Sequence, residues 1–132
     1  MEYKESLKGI LINMQRKYNK INEIHDLTKE LENALHRNDN VSMNMVLAMR
    51  QQAMLDVDKI DADTNMRIRN MIPEEALRVR KFINQENIEF NIQEERLISD
   101  LNGKIKRALQ NIIIIDKVLN KKVGKKDSFY AN

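Results

Sequence analysis

The chain has 132 residues, of which 33% are charged and 5% aromatic, with no Trp, one Pro and three Gly. That is one domain's length with a modest core, and its aliphatic content excludes disorder across the whole chain. The lack of Cys excludes disulfides, thiolate metal sites and a Cys nucleophile, and suits a reducing compartment.

No segment approaches 18 consecutive apolar residues, so no membrane span is expected. The opening Met1-Glu2-Tyr3-Lys4-Glu5 leads into no apolar stretch of a signal peptide. The expected location is the cytoplasm. Segment 116–127 holds five lysines against two aspartates, an excess equal to the whole net charge of +3. On that count the body is neutral and offers no broad basic face to nucleic acid.

Scarce breakers and abundant Leu, Ile, Met, Ala, Glu, Lys and Arg predict long helices. The first spans about Glu2 to His36. Leu7, Leu11, Met14, Tyr18, Ile21, Ile24, Leu27, Leu31 and Leu35 recur in steps of three and four, with Ile10, Thr28 and Ala34 beside them. Gly9 weakens its first turns. Arg37-Asn38-Asp39-Asn40 reads as a turn, and Asp39, Asn40 or Ser42 is placed to cap the next helix. So short a loop predicts an antiparallel hairpin.

The second helix runs from about Val41 to Asn70. Its stripe is Met43, Val46, Leu47, Arg50 (through its stem), Met54, Val57, Ile60, Thr64, Ile68 and Met71. Asp56, Asp58, Asp61 and Asp63 read as a solvated face. Of the eight methionines, six lie on or just past this helix. They serve either as core filler or as an adaptable apolar surface, and Met45 and Met49 sit off the main stripe.

Pro73 fits the first turn of a third helix, where its missing N–H costs nothing and Glu74 and Glu75 meet the positive end. The expected division is a short piece over 74–84 and a long helix over about 88–122, with an unbroken helix as the alternative. The long helix carries Phe90, Leu97, Ile98, Leu101, Ile105, Leu109, Ile112, Ile115 or Asp116, and Leu119 on its stripe. Gly103 marks close packing or local weakness. The predicted class is all-α: an antiparallel hairpin plus a long C-terminal helix, a coiled-coil-like bundle of three or four helices over 1–122. A flexible basic and aromatic tail follows over 123–132.

Ile112-Ile113-Ile114-Ile115 is the most apolar run. Four consecutive helical positions cover roughly 300° at 100° per residue. One side can meet the bundle, and the other needs a further helix, a second subunit or a partner protein. Ile113, Ile114 and Val118, flanked by Lys117 and Lys121, are the candidate strip for a partner helix. Met45, Met49 and the late Tyr130 are secondary candidates.

No catalytic, metal or cofactor pattern emerges. His25 and His36 lie about three helical turns apart, the aspartates of the second helix lack the glycine of a calcium loop, and Glu94-Glu95 lacks the histidine of a di-iron motif. The expectation is a protein that is not an enzyme and takes no cofactor.

The stretch Leu27-Thr28-Lys29-Glu30-Leu31-Glu32-Asn33-Ala34-Leu35, then Asp39, then the Met-rich helix from Arg50 to Leu55, resembles the first hairpin of the FlgN-type flagellar export chaperones. FliT-type chaperones share much of that hairpin. A long C-terminal helix with Asn111 and Asn120, and Tyr130 in the tail, extend the resemblance. It implies a cytoplasmic chaperone of type III export that binds helical terminal segments of hook–filament junction proteins and prevents premature assembly. Client contact would fall on Ile112–Val123. The alternatives are a structural coiled-coil or homo-oligomeric helical protein, and a small helical nucleic-acid binder.

Overall fold

A computed structural model describes residues 2–123. Those residues form four helices: α1 (Tyr3–His36), α2 (Asn40–Arg69), α3 (Pro73–Ile83) and α4 (Gln93–Val123). The expected all-α class is the observed one. Tyr130 and residues 124–132 of the expected tail lie outside the described residues.

The chain runs up α1 and down α2, and α3 and α4 then both run up again: Arg78 meets Glu95, and the Ile83 carbonyl meets Asn102 further along both helices. Ion pairs and hydrogen bonds mark the directions. Lys17 meets Asp61 and Lys20 meets Asp56, so α1 and α2 are antiparallel. Tyr3 meets Glu95 at one end and Lys122 lies by Glu32 at the other, so α1 and α4 are parallel. At about 1.5 Å per residue α1 is roughly 50 Å long and supports both neighbours.

The core has two parts. Ile21, Ile24, Leu27, Leu31 and Ala34 of α1 pack with Met43, Val46 and Ala53 of α2 and with Ile112 and Leu119 of α4. At the opposite end Leu7, Ile10 and Met14 pack with Ile68, with Ala76, Val79 and Phe82 of α3, and with Ile98 and Ile105. The 11-residue α3 closes the end that α1 opens and α2 leaves.

Both long turns end helices in the same way. After α1, Asn38 takes a φ of 54°, its N–H donates to the Leu35 carbonyl, and the Asp39 N–H donates to the Ala34 carbonyl. After α3, Gln85 takes a φ of 56° and the N–H groups of Gln85 and Glu86 donate to the carbonyls of Phe82 and Lys81. These are Schellman closures without the usual glycine. Of the three candidate caps for α2, the structure uses Asp39, which accepts from the Ser42 N–H at 3.0 Å and from its hydroxyl at 2.6 Å. Pro73 is the first residue of α3, as its geometry favours.

Four expectations need correction. The long helix begins at Gln93 rather than near 88, because Glu95 caps it from its third position, accepting from the N–H groups of Asn91 and Ile92. Leu97, Leu109 and Phe90 are exposed, and buried Glu95 and Asn102 stand on the stripe instead. Three of the four aspartates of α2 do not face solvent alone: Asp56 and Asp61 pair with lysines of α1, and Asp63 accepts from Asn13 at 2.6 Å. Arg50 is buried whole, head included, because Asp116 of α4 compensates its charge.

Candidate functional site

The isoleucine run divides by helical phase. Ile112 is 5% exposed and packs in the core, and Ile115 packs partly against it. Ile113 and Ile114 are 50% and 61% exposed. The division follows from the neighbours that must be inward. Ile105, Ile112 and Leu119 repeat every seven residues on the buried line of α4. Ile114, at 200° from Ile112 on a regular helix, points almost directly away.

Around Ile114 the outer face of α4 is basic. Arg107, Ile114 and Lys121 follow at seven-residue intervals and so lie on one line, with Lys117 and Val118 to its two sides. All five are exposed. From Lys104 to Lys122 the helix carries six basic residues, and its one acid, Asp116, is turned inward to Arg50. Lys104, Lys106 and Arg107 extend the basic character of α4 to the N-terminal side of the isoleucine run. The result is an apolar island, Ile114 and Val118, inside a basic border.

The sequence-predicted residues of α4 therefore share one exposed surface, with Ile113 on its edge nearer α2. Lys122, next to them, is directed back to α1, 3.2 Å from His36 Nε2 and 3.9 Å from Glu32. Met45 and Met49 are also exposed, but on another helix. Met49 lies seven and fourteen residues before Asp56 and Asp63, on the flank of α2 that meets α1. These methionines do not join the island on α4.

Sequence reasoning missed a buried polar cluster at the other end of the bundle. Glu95 has no exposed side-chain surface. Its carboxylate accepts from Arg78 Nε at 2.6 Å, from the Tyr3 hydroxyl at 2.5 Å and from the Asn91 N–H at 2.6 Å. Burial alone would raise the Glu95 pKa, but the hydrogen bonds from Arg78, Tyr3 and the Asn91 backbone outweigh it and hold the carboxyl below its ordinary value. Tyr3 is pushed well up, first by burial and then by the hydrogen bond to Glu95. Arg78 also donates to the Glu89 carbonyl at 2.7 Å and stacks over Phe82 at 5.0 Å. The cluster thus ties together α1, α3, the 84–92 connection and α4. Every strong partner of Glu95 is accounted for within the fold, and its place is that of a brace. A Glu three positions into a helix that begins after Asn-Ile is the sequence signal that would have found it.

Among the described residues no group of three or more His, Cys, Asp or Glu is placed to hold a metal ion, and no helix is long and apolar enough to cross a membrane. Asn102, whose amide donates to the Ile83 carbonyl, and Gly103, whose missing Cβ leaves room for the Gln85 amide, fasten α4 to the end of α3. No protein-family model, no curated protein and no solved structure matches this chain.

Proposed function

We propose that this protein is a non-enzymatic holder of another protein, and that it acts as a cytoplasmic export chaperone of the FlgN type. Its client is the helical terminal segment of a hook–filament junction protein, laid along the outer face of α4 so that premature assembly is prevented. The observation that carries the reading is the apolar island of Ile114 and Val118 inside the border of Arg107, Lys117 and Lys121.

The physics of the match is simple. Covering two half-exposed aliphatic side chains removes apolar area from water and supplies the driving force. The like-charged border repels basic segments and attracts an acidic one, which sets specificity and association rate more than affinity. A client helix with two apolar residues one turn apart and acids beside them satisfies both terms. The helical bundle supports the reading as a platform, since α4 is tied to α1 near both ends and to α2 through Asp116.

The test is a titration of the protein with fluorescent peptides from the terminal helices of hook–filament junction proteins. Saturable binding is expected, weakened by salt and by Lys117→Glu, and abolished by Ile114→Asp with helical content unchanged. Absence of binding, or binding indifferent to Ile114→Asp, would remove the proposal.

A further inference from the structure

The outer face of α2 carries a second pattern that the core does not use. Its buried line is Met43, Val46, Arg50, Ala53 and Ile60. Opposite lie Val41, Met45, Ala48, Gln52 and Leu55, spaced alternately by four and three residues, and all five are exposed. Val41 is 75% and Met45 60% exposed. Alternating steps of four and three are the spacing of a coiled-coil seam, narrower than a core-facing stripe.

Charge separates this seam from the island on α4. In a chain that is 33% charged, the sixteen residues Asn40–Leu55 contain one charged side chain, Arg50, and it is buried against Asp116. The nearest charges along the helix are held at home. Asp39 binds Ser42, and Asp56 pairs with Lys20. The exposed surface over these turns is therefore Val, Met, Ala, Leu, Asn and Gln. Met enrichment with few charges is the composition of an interface centre.

We infer that this face is a self-association surface, and that a second copy of the chain covers it as an antiparallel α2–α2 pair. A two-fold contact places a surface against itself, so it must tolerate its own charges. The basic border of α4 fails that requirement and the α2 seam meets it. The uncharged segment is symmetric about Ala48, so the two-fold axis passes near Ala48, with Val41 of one copy opposite Leu55 of the other. Extending the pair further down α2 would bring Lys59 into the seam, which fixes the short register. Four turns of one helix bury less than the ~800 Å² per partner of a standard interface, so the dimer is weak and concentration-dependent. The contact leaves α4 free, so self-association and the proposed client binding are independent.

Sedimentation equilibrium of the full chain over a range of concentrations tests this. A monomer–dimer equilibrium is expected whose constant barely changes between low and high salt. Met45→Glu places a carboxylate in the apolar seam beside Gln52 of the other copy, once on each side of the two-fold, and should raise the dissociation constant at least about tenfold, with unchanged helical circular dichroism. Ile114→Asp should leave the dimer intact, whatever it does to client binding. Since the chain has no Cys, Ala48→Cys provides an independent reading: it should form a disulfide-linked dimer under mild oxidation, whereas Lys59→Cys should not. A wild type that stays monomeric throughout, a dimer lost on Ile114→Asp but kept in Met45→Glu, or equal cross-linking at both cysteine positions would each overturn the inference.

Discussion

The Arg50 guanidinium meets the Asp116 carboxylate at 2.5 Å between α2 and α4, and this pair fixes which isoleucines face solvent. Asp116 follows Ile114 by two residues, which on a regular helix is a rotation of 200°. Turning Asp116 toward Arg50 turns Ile114 out.

Breaking that pair should be costly, and replacing it should not. Arg50→Met leaves Asp116 without its main charge partner at the edge of the core, and a loss of about 3 kcal/mol in urea unfolding is expected. The double variant Arg50→Met/Asp116→Leu should recover most of that loss, since packed apolar groups need no desolvation. A double variant no more stable than the single one would show that the pair does more than compensate its own burial.

The four isoleucines should differ sharply in energy. Ile112→Ala opens a cavity in the core and should cost about 2–4 kcal/mol. Ile114→Ala, at an exposed helical position, should stay within about 0.5 kcal/mol of the wild type. Equal destabilisation of the two in chemical unfolding would contradict the exposure of Ile114 seen here.

Glu95 should make stability fall in acid. Its folded pKa lies below the ordinary carboxylate value because Arg78, Tyr3 and the Asn91 N–H outweigh the effect of burial. A depressed folded pKa contributes stability that is complete above the unfolded value, near 4.5, and is lost as pH falls through the folded one. Urea midpoints measured from neutral pH downward should therefore decline below pH ~4.5. Glu95→Gln should lower stability at neutral pH and flatten that part of the decline. An unchanged slope in the variant would assign the acid loss to other carboxylates.

Gln85 offers a stabilising change. Its φ of 56° lies in the left-handed region, which costs a side-chain-bearing residue about 1 kcal/mol relative to glycine. Gln85→Gly should raise stability by about that amount, because the contact it forfeits, Nε2 to the Ser99 carbonyl at 3.5 Å, is long. Asn38→Gly should give less, since Asn tolerates this conformation better. Thermal melts of both variants would rank them, and destabilisation by Gln85→Gly would mean that the side chain over Gly103 matters more than the backbone strain.

Much of the bundle was legible without coordinates. Periodic Leu and Ile in α1, the Asn-Asp turn and Pro73 mark helices and their ends through local rules, since capping and backbone preference depend on near neighbours in the chain. That part of the isoleucine run would be exposed was legible for a related reason: four consecutive isoleucines exceed what one buried helix face can hold. The start of α4 was misplaced because its deciding contacts run from Glu95 back to the 84–92 connection and across to Arg78 and Tyr3.

The sequence by itself determined that this protein is helical, where its main turns fall and that some of its apolar surface exceeds the needs of a hairpin. Only the tertiary structure decided that Arg50 is buried whole, that Leu97 and Leu109 are outside while Glu95 is inside, and that Asp116 turns inward to Arg50. Local propensity sets the period of a helix, but its rotation about its own axis is set by partners distant in the chain. Arg50 with Asp116, and Tyr3 and Arg78 with Glu95, are the contacts that choose it.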